Sequence, residues 1–300
     1  MLANTFVNVH SSNNLSEEGK RGREKTKSEN VEALMKMGKV EDEQNVLFNM
    51  GELNRAMAKT GKTAPGKDDI CYSMLKQLSE DGKNKLLMLY NKVWEEGKLP
   101  KCWKEAIILP IRKPGKEASK PTSYRPIALT SHVCKLMERM INERLMYSME
   151  KRGMVVECQS GFRRGRNTMD AILCLEENIR KAQVNKETTV AVFFDVEKAY
   201  DMLWREGLMI KLYNMGIRGN FLNWIKDFLE GRTIQVKIEA DMSNEHFVEN
   251  GTPQGSVVSP TLFSVMINDI YVNIPIGMGR SLFADDGAIW KKGRNNRTCS

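Results

Sequence analysis

Between residues 11 and 30 the chain reads SSNNLSEEGKRGREKTKSEN, with Leu15 its one strongly apolar residue. So polar a stretch buries too little surface to offset its ordering entropy, and residues 1–45 read as a flexible linker. Ordered structure is expected from about residue 46, where Val46, Leu47, Met50, Leu53 and Met57 recur at helical spacing. TAPGKDDI (63–70) is a loop by its proline, glycine and aspartates, and CYSMLKQL resumes a helix. EAIILPI (105–111) is a short β-rich run. HVCKLMERMINERLMYSM places Val133, Leu136, Met137, Met140, Ile141 and Leu145 on one stripe, an amphipathic helix with methionine as core filler. MDAILCLEENIRKAQ predicts a second helix and FLNWIKDFLEGR a third. TIQVKIEA alternates as a strand through Ile234, Val236 and Ile238.

Two strand-like segments end on aspartate. In TTVAVFFDVEKAYDMLW (188–204), alternation sets Ala191, Phe193 and Asp195 on one face and Val190, Val192 and Phe194 on the other. Asp195 falls at the tip of what reads as a core strand, where an aspartate is either a metal ligand or a helix N-cap. SLFADDGAIW (281–290) reads as a hairpin with Leu282 and Phe283 facing Ala288 and Ile289, and Asp286-Gly287 in the turn. An ordinary Asp-Gly turn leaves Asp285 unexplained, whereas a divalent cation with hard oxygen ligands explains both carboxylates. Asp195 brought beside them makes a cluster able to hold two such ions, the clamp used in phosphoryl transfer. Between the two segments, NGTPQGSVVSP is too rich in glycine and proline for regular structure. Gly251 and Gly255 let backbone approach a ligand, Gln254 is placed to offer it an amide, and Ser259-Pro260 starts an apolar helix.

Charge sharpens the choice of partner. The 46 Lys and Arg exceed the 38 Asp and Glu, for a net charge of +8, which favours a polyanion over an acidic small molecule. Arg112, Lys113, Lys116, Lys120 and Arg125 crowd a segment whose prolines and glycine forbid a regular helix, so these cations sit on an irregular loop or hairpin. ECQSGFRRGRNT sets Arg163, Arg164 and Arg166 around a glycine, equally a phosphate contact or a solvated turn. The six cysteines form no CxxC pair, which argues against a zinc knuckle or a disulfide framework and fits reduced thiols. No apolar run approaches the ~18 residues of a membrane span, and no signal-peptide core opens the chain. The expected setting is nucleus or cytoplasm, without a membrane.

Taken in order, FFDVEKAYD, GTPQGSVVSP and FADD resemble the palm motifs of reverse transcriptases from non-LTR (LINE-type) retrotransposons, with jockey-like elements nearest. YRPIALTSHVCKLMERMINERL and QSGFRRGRNT are similar to the upstream fingers and template-contact motifs, and WEEGKLPKCWKEAIILPIRKPGK to the segment before them. The resemblance covers roughly residues 46 to 300. It implies an α+β right-hand polymerase whose antiparallel palm sheet is flanked by helices. The N-terminal helical region and fingers would span 46–187 and the palm 188–300, interrupted by a fingers insertion at about 201–250. It implies that Asp195, Asp285 and Asp286, with the Val196 carbonyl, bind two Mg²⁺ ions, Mn²⁺ being a substitute. Lys113 and Arg125 match the cations that hold the incoming triphosphate, Tyr200 the aromatic gate against a 2′-hydroxyl, and Gln254 the residue against the nascent base pair. Arg163 and Arg166 match template contacts. The implied partners are an RNA template, a DNA primer and dNTPs.

Asp286 lies fourteen residues from the end of the sequence, so the thumb that the resemblance implies is expected to be absent, as is the endonuclease that precedes the polymerase. Residues 1–45 read as the trailing linker of the latter and NNRTCS as the middle of a longer segment; a partner domain or chain would supply what is missing. Two other readings stand beside the polymerase: a metal-dependent nuclease on the same aspartates, disfavoured by Tyr200, Gln254, Lys113 and Arg125, and a non-catalytic remnant that only binds nucleic acid.

Overall fold

The computed structural model describes residues 2–30 and 45–294. Residues 31–44 of the expected linker, and NNRTCS with Cys299, lie outside the described residues. In chain order the helices are α1 (Leu2–Val9), α2 (Glu17–Glu29), α3 (Met50–Ala58), α4 (Tyr72–Lys76), α5 (Glu80–Glu96), α6 (His132–Lys151), α7 (Thr168–Val184), α8 (Arg205–Asn214), α9 (Asn220–Leu229) and α10 (Ser259–Met266). The strands are β1 (Glu105–Arg112), β2 (Tyr124–Leu129), β3 (Thr188–Asp195), β4 (Thr233–Ile238), β5 (Asp241–Met242), β6 (His246–Phe247), β7 (Gly279–Phe283) and β8 (Asp286–Gly293). Two compact units result, Met1–Leu145 with Tyr200–Ser259, and Met146–Ala199 with Pro260–Ser300. The divisions fall at 145/146, 199/200 and 259/260.

In the first unit β2, β1, β4 and β5 lie side by side, with β6 also on β4. β1 and β4 run parallel and the other pairs antiparallel. Alternation turns Ala106, Ile108, Ala128, Ile234 and Val236 to one face, and Phe6 of α1 is buried against them. The segment expected to be linker is therefore partly core. Apolar residues 2–9 precede the polar run, and their amphipathic turn covers the sheet. α2, which buries no residue, is ordered by other means. Ser16 caps it by accepting from Gly19 N, and Lys27 pairs with Glu206 at 3.1 Å.

α3 begins at its N-cap Asn49, which forms a capping box with Glu52, so Val46 and Leu47, expected on its stripe, precede it and are exposed. The six apolar residues expected on the stripe of α6 are all buried. On its polar side Arg144 forms a two-point pair with Glu52, at 2.6 and 2.7 Å, and lies over Phe48 at 4.1 Å. α9 buries Phe221, Leu222, Trp224, Ile225 and Phe228, with Trp94 of α5 edge-on to Phe221 at 4.9 Å. β4 buries Ile234 and Val236 but leaves Ile238 exposed.

The second unit carries an antiparallel sheet in the order β3-β8-β7. β3, read from its sequence as a core strand, lies at the edge of that sheet and leaves Val190, Val192 and Phe193 exposed. β-branched and aromatic composition reports strand propensity; it does not report how many neighbours cover the strand. α7 packs on β3 and β7, buries Ala182, and exposes Met169, Ile172 and Leu173. Among the described residues the five cysteines are unpaired, and no helix is long and apolar enough to cross a membrane.

Candidate active site

The β3–β8 ladder pairs Val192 with Ile289, Phe194 with Gly287 and, at its end, Asp195 with Asp286. β7 pairs Phe283 with the same Asp286, so the turn consists of Ala284 and Asp285. That corrects the expected Asp286-Gly287 turn. Ala284 supplies the positive φ, 55°, that a two-residue hairpin turn needs. Gly287 lies within β8, where a Cβ would come within 2.3 Å of the Phe194 ring. The glycine serves side-chain packing here. Phe194 meets Tyr271 edge-on at 6.0 Å, and the Tyr271 hydroxyl donates to Ser281 O at 2.7 Å. Burial pushes that hydroxyl up to about 12, so it stays a donor.

Three carboxylates thus gather at one end of this sheet. Asp195 and Asp286 are cross-strand neighbours, both exposed, and Asp285 is the adjoining turn residue. Val196 N donates to Asp285 O at 3.2 Å, tying the chain beyond β3 to the turn. The donor set is oxygen only and open, which fits a hard divalent cation. Among the described residues no three His, Cys, Asp or Glu side chains converge into a ready-made metal cluster. Cross-strand Cβ atoms stand only about 4.5–5.5 Å apart, so Asp195 and Asp286 are near neighbours at this edge.

The QSGF segment supports this turn. Ser160 N donates to Leu282 O and Leu282 N to Cys158 O, each at 2.8 Å, extending the edge of β7. Gly161 lies so close that a Cβ there would be 2.3 Å from Ala284 N. Arg163 is engaged within the unit, with two 2.7 Å bonds to Glu150 and further bonds to the Val156 and Gln159 carbonyls. This pairing holds the Glu150 carboxyl below its ordinary range. Arg164 and Arg166 are exposed.

The other expected site residues assemble in the first unit. Ile111 pairs with Arg125 across the β1–β2 hairpin, so Lys113, two residues on, shares the face of Arg125. Ile111 and Ile127 lie exposed on that face, while Ile108 and Ala128 face the core. Lys113 Nζ donates to Thr122 O at 3.2 Å, and Arg125 is exposed. Ala128 N, on β2, donates to Gln254 O at 3.0 Å, which places the GTPQGS loop beside this hairpin.

That loop is held at every step. Gly251 N donates to Leu203 O and Thr252 N to Tyr200 O. The Arg205 guanidinium donates to the carbonyls of Val248, Asn250 and Gly251 at 2.9–3.0 Å. Burial pulls the pKa of Arg205 down to about 10, still well above neutrality. A Cβ at Gly251 would meet Asp201 O at 2.4 Å, and one at Gly255 would meet Ala128 O at 2.8 Å. These glycines, expected to admit a ligand, admit neighbouring backbone. The buried Glu138 carboxylate of α6 accepts from Ser256 Oγ at 2.5 Å, Val257 N at 2.6 Å and Val258 N at 3.3 Å. Ser256 Oγ in turn accepts from Ser259 N, so the serine serving the start of α10 is Ser256. Glu138 is not among the stripe residues of α6, and no sequence signal marked its role.

In this mixed α+β chain, then, two aspartate motifs meet at neighbouring strand ends. Residues 111–298 match the family described as reverse transcriptase (RNA-dependent DNA polymerase). The chain is 37% identical over 209 residues to the probable RNA-directed DNA polymerase from transposon BS of Drosophila melanogaster, covering 70% of this chain and 23% of that protein. It is 34% identical to the probable RNA-directed DNA polymerase from transposon X-element (79% and 26%) and 32% identical to the RNA-directed DNA polymerase from mobile element jockey (78% and 26%), both of the same species. The chain belongs to the reverse transcriptase family. It spans about a quarter of the length of these relatives.

Proposed function

We propose that this chain forms the fingers and palm of an RNA-directed DNA polymerase that joins dNTPs to a DNA primer's 3′-hydroxyl on an RNA template. The reading rests on one observation above all: the register pairs Asp195 with Asp286 beside Asp285, so two motifs ninety residues apart meet as one acidic edge. Asp195, Asp285 and Asp286, with the Val196 carbonyl, are the residues to hold two Mg²⁺ ions, Mn²⁺ substituting. Bound there, the ions supply positive charge to the attacking and leaving oxygens of phosphoryl transfer. Lys113 and Arg125, on one face of the hairpin, hold the triphosphate through charge-assisted bonds. The Tyr200 ring excludes a 2′-hydroxyl, and Gln254 lies against the nascent base pair. Arg166 touches template backbone, with Arg163 bracing the same segment from within. The protein works where its RNA is, in nucleus or cytoplasm.

A second reading is a remnant that binds nucleic acid without catalysis. Primer extension on an RNA template with dNTPs and Mg²⁺ separates the two. Extension that is lost in the Asp285→Asn, Asp286→Asn double variant supports the polymerase. No extension by either protein, with salt-sensitive template binding kept, supports the remnant.

A further inference from the structure

FFDVEKAYD ends on Asp201, a residue to which the motif alone gives no task. Its carboxylate accepts from Gln254 Nε2 at 2.6 Å. His10 of the N-terminal segment also stands near it, its Nε2 at 3.8 Å from the same Oδ1. Both side chains are largely buried, at 12% and 13% exposure, so water competes poorly for the carboxylate. The backbone around it is equally determined. Gly251 packs on the Tyr200 and Asp201 carbonyls, His10 Nδ1 lies 3.0 Å from Asn250 O, and Asn250 Nδ2 donates back to His10 O at 2.8 Å.

From this we infer that Asp201 is the positioning residue of Gln254. A carboxamide has a donor end and an acceptor end of nearly equal shape, and free in solvent it presents either. A carboxylate only accepts, so Asp201 selects the Nε2 end and turns Oε1 away from itself. Gln254 thereby presents a fixed acceptor and one remaining N–H to whatever enters beside the loop. Its backbone is fixed independently by Ala128 N, so side chain and main chain are both oriented. The N-terminal segment adds to the arrangement, with His10 beside the same carboxylate oxygen and itself tied to Asn250. The inference rests on the proposed nucleotide-binding role of Gln254.

Two measurements test it. The first needs no catalysis. In protein labelled with ¹⁵N at glutamine, the Gln254 side-chain amide should show one proton shifted downfield and slow to exchange in the wild type. In Asp201→Ala that signature should disappear, and in Asp201→Asn it should survive in part, since Asn Oδ1 also accepts. A Gln254 amide indistinguishable between wild type and Asp201→Ala overturns the positioning. The second is a double-mutant cycle on the KM for dNTP, with thermal unfolding of each variant as a control for folding. Asp201→Ala should raise KM about tenfold, as loss of one charge-assisted bond does, with kcat far less affected. Adding it to Gln254→Ala should raise KM no further. Additive effects overturn the inference. Absence of extension by the wild type refutes the polymerase reading instead, and the amide signature then still decides whether Asp201 orients Gln254.

Discussion

Asp195 and Asp286 are register partners at the last rung of the β3–β8 ladder, beside the Ala284–Asp285 turn that joins β7 to β8. Slipping the ladder by one residue would send one carboxylate to the opposite face. Whatever fixes the register therefore fixes the site.

Gly287→Ala should be disruptive for that reason. Its Cβ would stand 2.3 Å from the Phe194 ring, in a strand whose neighbours on both sides are paired. Overpacking of this kind costs about 1–3 kcal/mol. Chemical denaturation should show the loss, and extension activity should fall with it. An unchanged unfolding midpoint would contradict the packing described.

Gly161→Ala pushes on the aspartate turn from the other side. The clash is with Ala284 N, a backbone atom that cannot rotate away. Amide chemical shifts of Ala284 and Asp285 should move, while those of the first unit stay in place. Shifts confined to residues 158–164 would show that the QSGF segment gives way instead.

The Glu52–Arg144 pair predicts a pH dependence. Burial alone would raise the Glu52 carboxyl, but the bonds from Arg144 outweigh it and hold the group below its ordinary value. Its folded pKa is lower than its unfolded one, so the stabilisation is complete above the unfolded value and disappears as pH falls through the folded value. Glu52→Gln should cost about 1–3 kcal/mol at neutral pH, as hydrogen bonds to charged groups do. The gap between variant and wild type should begin to narrow as pH falls through the ordinary carboxylate range, about pH 4, and close below the lower folded value. A gap constant with pH would contradict the pairing.

Phe6→Ala tests whether the N-terminal segment is structural. Truncating a buried phenylalanine costs about 3–5 kcal/mol when its surroundings cannot collapse. Limited proteolysis should then release residues 2–30 faster than in the wild type. Equal rates and equal unfolding midpoints would return this segment to the status of a linker.

Much of the site was legible because its residues lie on elements with simple periods. Alternation placed Asp195 at a strand's end, and the FADD box announced a hairpin. The pairing of Lys113 with Arg125 on one face follows from hairpin geometry once the strands are known. What escaped was set by contacts distant in sequence. Gly287 looked like a turn residue because Asp-Gly is a strong turn signal, and only the register with Phe194 reveals its packing role. Glu138 and Asp201 carry no local pattern, since their partners lie more than fifty residues away. Residues 17–29 looked unable to order, and α2 indeed buries nothing; caps and the Lys27–Glu206 pair, which hydropathy does not register, hold it.

The central claim is that Asp195, Asp285 and Asp286 hold divalent cations together, and Mn²⁺ tests it most directly. Added to ¹⁵N-labelled protein, the paramagnetic ion should broaden the amides of Val196, Ala284, Asp285 and Asp286 first. Asp195→Asn and Asp286→Asn should each abolish that broadening while leaving the rest of the spectrum in place. Broadening centred elsewhere, or retained in both variants, would contradict the account.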